Sequence, residues 1–167
     1  MGAGAHVRNL LRGCIPLSGW LDMTASTPSY DTRQWDAESC FGDAVNKGTD
    51  RKSGQGEAED YLGRGGVQKH GRDWRVSPFW APAAKLKQLP SVLLHVGDFE
   101  LIRDESVLLK EKMIKAGHKD VSLSVYPRMW HCWHEYSEGG GERQQLLKAI
   151  RAVKEIGDWV KGRFTSA

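Results

Sequence analysis

The chain has 167 residues, 40% apolar and 27% charged, with a formal net charge of +3, enough for one domain with a packed core. Lysines and arginines alternate with acids instead of forming a basic stripe, so nucleic acid is not an expected partner. No apolar run approaches the roughly 20 residues that a membrane helix needs, and the N-terminal MGAGAHVRNLLRGC lacks a hydrophobic signal core.

Cysteines stand at Cys14, Cys40 and Cys132, an odd, sparse set without CxxC spacing. This argues against a disulfide framework and a metal site, and for a reducing, cytoplasmic compartment.

In chain order, residues 7–22 open with a short helical stretch. They pass into CIPLSGWLD, which reads as the end of a buried strand near Ile15, interrupted by Pro16, which has no N–H to give a ladder. Residues 24–30, rich in Thr, Ser and Pro, read as a loop. Residues 33–75 form an irregular, cap-like insert. Trp35, Cys40, Phe41 and Val45 mark one short helix, residues 57–62 another, and NKGTDRKSGQG at 46–56 a flexible surface loop. SPFWAP at 77–82 is an extended turn.

The second half is more regular. Residues 92–96 are a continuous apolar run between Pro90 and Gly97, the pattern of a parallel strand buried on both faces. Asp104 is the expected N-cap of a helix ending near Gly117. Val121–Tyr126 alternates apolar residues with serine and stops at Pro127, as a second strand would. Residues 142–164 form an amphipathic helix with Leu146, Ile150, Val153 and Ile156 or Trp159 on its apolar stripe.

This order predicts an α/β fold with a parallel sheet, flanking helices and right-handed crossovers. Two clear strands and a third near Ile15 are too few for an open sheet. The chain therefore reads as a single partial domain over residues 1–167, with the insert within it.

Polar groups at the C-terminal ends of parallel strands are candidates for chemistry. Gly97-Asp98-Phe99-Glu100 follows the first strand, and Met129-Trp130-His131-Cys132-Trp133-His134 follows the second. A carboxylate and an imidazole on adjacent strand ends can hydrogen-bond, which fixes the imidazole tautomer and stabilises its protonated form. His95 reads as a strand residue packed beneath helices, and His134 as an exposed loop histidine.

The stretches LPSVLLHVGDFELIRDE and KAGHKDVSLSVYPRMWHCW, with LSGWLDMTASTPSY and VSPFWA upstream, resemble the C-terminal part of α/β-hydrolases of the hormone-sensitive lipase family. The resemblance covers about residues 12–135 and is poor over 46–56. It implies a carboxylic-ester hydrolase acting on a small-molecule ester, with no metal or organic cofactor. Glu100 falls at the catalytic acid position and His131 at the general base, with Asp98 a rival acid. Trp20 and Trp133 are candidate pocket walls.

The family's G-x-S-x-G nucleophile elbow and HGG oxyanion loop are absent from the chain. In the family's order the serine would precede Met1, and Gly2-Ala3-Gly4-Ala5 would remain from the helix just past the elbow. The chain alone is therefore expected to have negligible esterase activity. Two readings without catalysis stay open: a truncated hydrolase, or a small α/β interaction domain in which the Glu–His pair is accidental.

Overall fold

The structure is a computed structural model and describes residues 11–38, 42–44, 46–138 and 146–165. The expected helical stretch near residue 7, the Gly2–Ala5 segment, Cys40, Phe41 and Val45 lie wholly or largely outside this range, as do Gly139–Gly141 and the start of the last helix.

Three parallel strands form one sheet in the order β1 (Gly13–Cys14), β2 (Ser91–Gly97), β3 (Val121–Tyr126). The two longer strands match the sequence expectation closely. β1 is short because Pro16 interrupts it. Pro16 can only accept, from His95 N–H at 3.1 Å, and pairing resumes where Ser18 N–H donates to the His95 carbonyl at 2.8 Å.

The helices are α1 (Ser29–Thr32), α2 (Arg51–Leu62), α3 (Gly66–His70), α4 (Ala83–Leu86), α5 (Arg103–Lys115) and α6 (Leu147–Thr165). Short 3-10 turns cover Pro78–Trp80 and Trp133–Glu138. No described helix is long and apolar enough to cross a membrane.

Three expectations need correcting. The loop at 46–56 is only half a loop, because α2 starts at Arg51. Asp50 caps it, accepting from Ser53 N–H at 2.7 Å. Gly54 there serves packing, not flexibility: a β-carbon on it would sit 3.1 Å from the Tyr30 ring. The N-cap of α5 is Ile102, with no side-chain cap. Asp104 and Glu105 lie in the first turn, where the helix dipole favours acids.

The apolar stripe of α6 is also rotated from the expected one. Ala149 and Ala152 are fully buried against Met129 and Trp133, while Ile150 and Val153 are exposed. The large indole fills the space under the helix, so only small side chains fit between them.

Val92 and Leu94 of β2 pack with Leu109 and Met113 of α5, and with Leu21, Phe79 and Leu86, as the main core. Beside this core, Glu105 is fully buried and clamps the chain after β1. Its carboxylate accepts Leu21 N–H at 2.5 Å, Asp22 N–H at 3.0 Å and the Tyr30 hydroxyl at 3.1 Å. Burial pushes its pKa up to about 8, against the pull of the Leu21 and Tyr30 donors.

Met113 is fully buried, so Met113→Ala is expected to cost about 2–5 kcal/mol in urea unfolding, because the rigid core cannot close the cavity. Glu105 ionises less readily in the fold than in the unfolded chain. Its contribution to stability is therefore full at acid pH and declines as pH rises toward 8. Glu105→Gln should remove that component. Denaturation midpoints for both proteins at pH 5 and pH 8.5 measure it, and equal pH dependence in the two would refute the assignment.

Candidate active site

The turn after β2 carries Glu100, and the turn after β3 carries His131. Backbone bonds stitch the two turns together: Asp98 N–H donates to the Tyr126 carbonyl at 2.9 Å, and Phe99 N–H to the Met129 carbonyl at 3.0 Å. Gly97 makes this approach possible. A β-carbon on it would lie 2.3 Å from the Met129 carbonyl oxygen and 3.0 Å from Glu100 Oε1.

Glu100 is fully buried and makes three hydrogen bonds. Oε1 accepts Gly97 N–H at 2.5 Å and the Ser18 hydroxyl at 2.8 Å. Oε2 lies 3.0 Å from His131 Nδ1. With the carboxylate ionised, Nδ1 carries the hydrogen and donates it, leaving Nε2 as the basic nitrogen. Burial pushes the Glu100 carboxyl above its usual range, opposed by its donors His131, Gly97 and Ser18. The bond to Glu100 raises the His131 pKa, opposed by burial.

The rival acid is placed elsewhere. Asp98 faces Arg103, Nε to Oδ1 at 3.2 Å, and Arg33 at 3.7 Å, and neither contact involves His131.

Two side chains complete the site without an advance signal in the sequence. The Ser18 hydroxyl donates to Glu100 and accepts Cys132 N–H at 3.2 Å, tying the end of β1 to both turns. Asp43, from the insert, is buried beneath the histidine turn. It accepts Asn46 Nδ2 at 2.8 Å and lies 3.4 Å from His131 N. Ser18 and Cys132 both adopt left-handed backbone, at φ 46° and 56°, a conformation costly for residues with a β-carbon. Burial pushes the Cys132 thiol up, which keeps it protonated and inert at neutral pH.

His131 opens onto a cavity of about 190 Å3, also lined by Ser18, Trp20, Tyr30, Leu101 and Ile102. Trp20 lines this cavity. Trp133 does not. It is fully buried in the core and stacks on His95, with ring centroids 5.2 Å apart and planes 12° apart. The left-handed Cys132 turns the chain so that the next side chain points under α6, away from the cavity. His95 is buried beneath helices as expected, while His134 is half-buried, with its ring edge-on to Trp133. Among the described residues, no group of three or more His, Cys, Asp or Glu side chains is placed to hold a metal.

A parallel sheet that presents a buried acid and a partnered histidine on adjacent strand ends fits a nucleophilic hydrolase. The family model for the alpha/beta hydrolase fold matches residues 2–135. The chain belongs to the α/β-hydrolase fold family. An acetyl-hydrolase from Streptomyces hygroscopicus is 31% identical over 148 residues, 88% of this chain and 42% of the relative. An esterase/lipase from an uncultured bacterium superposes with a TM-score of 0.73 at 27% identity, over 98% of this chain and 47% of its own. A hormone-sensitive lipase from a metagenome library gives 0.69 at 27%, over 91% and 43%. The chain thus spans about half the length of these α/β-hydrolase relatives, and its neighbours are esterases and lipases of hormone-sensitive lipase type.

The Glu100–His131 bond has a direct signature. The His131 imidazole should titrate above the usual value of about 6.5. Its contribution to stability is then complete below 6.5 and is lost as pH climbs through the raised pKa. In Glu100→Gln the charge is gone and burial remains, so the titration midpoint should fall. Nitrogen-15 NMR of the imidazole reads this, and a midpoint unmoved by the substitution contradicts the pairing.

Proposed function

We propose that the chain supplies the acid and the base of a serine-type carboxylic-ester hydrolase, as one partial domain over residues 1–167 with residues 33–75 as an insert. The observation that carries this reading is the 3.0 Å contact between buried Glu100 and His131, beside a cavity edged by Trp20. A serine hydroxyl attacks the ester carbonyl. His131 Nε2 takes the serine proton, Glu100 stabilises the resulting imidazolium, and His131 returns the proton to the leaving alcohol. Glu100 also holds the imidazole in the tautomer that leaves Nε2 free.

The chain carries no G-x-S-x-G elbow, so the serine and the oxyanion donors come from polypeptide outside these 167 residues. Without a nucleophile, an acid–histidine pair forms no acyl-enzyme. The resemblance to hormone-sensitive lipase-type esterases favours a small or medium acyl ester, entering beside His131 and Trp20. Free thiols at Cys14 and Cys132 favour a reducing, cytoplasmic setting. The 3.0 Å contact supports this reading over a small α/β interaction domain, for which the two side chains were expected well apart in a sheet closed on both edges.

The purified chain should hydrolyse p-nitrophenyl butyrate no faster than buffer. Joined to a serine-bearing N-terminal half, it should gain esterase activity that falls by a factor of about 10⁴ to 10⁶ in His131→Ala. Turnover by the chain alone, abolished by His131→Ala, would refute the need for an external serine. A joined protein whose activity ignores His131 would refute the catalytic assignment.

A further inference from the structure

A second cavity lies apart from the candidate active site. Helix α2 walls both: Gly54 and Glu57 border the small cavity at His131, while Arg51 and Gln55 border an open cleft of about 900 Å3 on the other side. The cleft is lined by four cations, Arg51, Lys69, Arg72 and Arg75, against one acid, Asp73, with Trp74 as an aromatic wall.

Two of the cations are already neutralised. Arg75 binds Asp73 through Nε and Nη2, the latter at 2.5 Å. Arg51 binds Asp31 at 2.6 Å and donates to the carbonyls of Ala25 and Thr27. Lys69 and Arg72 form no ion pair among the described residues. The Arg72 guanidinium lies over the Trp80 ring, 4.6 Å from its centroid. The ring face attracts the guanidinium and anchors it beside the cleft, and Arg72 is exposed there, so its N–H donors are within reach of a ligand oxyanion. Two uncompensated positive charges on one concave wall match a dianion. A concave cleft of this volume is of small-molecule size.

We propose that this cleft binds a phosphate dianion, free or as the monoester of a small molecule, between Lys69 and Arg72. The site is independent of the acid–histidine pair and needs no serine.

Isothermal titration of the 167-residue chain at pH 7.5 and low salt, with phenyl phosphate, inorganic phosphate and benzoate, tests it. Phenyl phosphate should bind saturably with Kd below about 1 mM and weaken as salt rises. Lys69→Glu, at an exposed position, should weaken binding about tenfold or more, and Arg72→Gln likewise. Lys119→Glu, an equal charge change away from the cleft, should leave binding intact. Phenyl phosphate binding more tightly than inorganic phosphate supports the site with an ester occupant packed on Trp74; equal binding supports it with the free anion. Absence of saturable binding, equal affinity for benzoate, or equal loss in Lys119→Glu overturns the proposal. Thermal melts of each variant confirm that the fold persists.

Discussion

The structure around the site depends on burying the Glu100 carboxylate without leaving it unsatisfied. An unpaired buried charge costs several kcal/mol, so each donor to Glu100 is a structural requirement as much as a chemical one. The donors come from three places far apart in sequence: Ser18 after β1, Gly97 at the end of β2, and His131 after β3. Satisfying one carboxylate therefore fixes the positions of three strand ends.

The same device recurs nearby. Asp22 is fully buried and accepts from Thr24 N–H and Oγ1, from Ser26 N–H and Oγ, and from the Trp80 indole at 2.8 Å. Burial pushes its pKa up, but these donors outweigh it and the net shift is downward. Glu105 and Asp43 hold neighbouring segments in the same way, mostly through backbone amides and polar side chains. Loops that would otherwise carry unmet polar groups are organised around acids, which explains how a chain with a small three-stranded sheet holds an ordered site.

Much of this was legible in the sequence, for local reasons. The continuous run at 92–96 and the alternation at Val121–Tyr126 announce strands because burial on two faces or on one writes a different pattern. Glu100 was preferred to Asp98 by family register; the structure sets Glu100 against His131 and Asp98 against Arg103 and Arg33. What escaped depends on contacts between distant residues. Ser18 lies 82 positions from its carboxylate partner, and no periodicity encodes that. The true buried face of α6 depends on the bulk of Trp133 beneath it, and the inward turn of Trp133 depends on the left-handed Cys132 before it. The start of α2 was hidden by glycines whose composition imitates a linker, although Gly54 is there to admit Tyr30.

The close approach at Gly97 has a mechanical consequence. Because the acid turn and the histidine turn are joined by backbone bonds through Asp98 and Phe99, a displacement of one is passed to the other. The separation of carboxylate and imidazole is therefore set by the main chain as well as by the 3.0 Å side-chain contact. In the proposed hydrolase, fitting an ester would fall to the cavity walls built on α2 and Trp20, with the Glu100–His131 pair as their fixed reference.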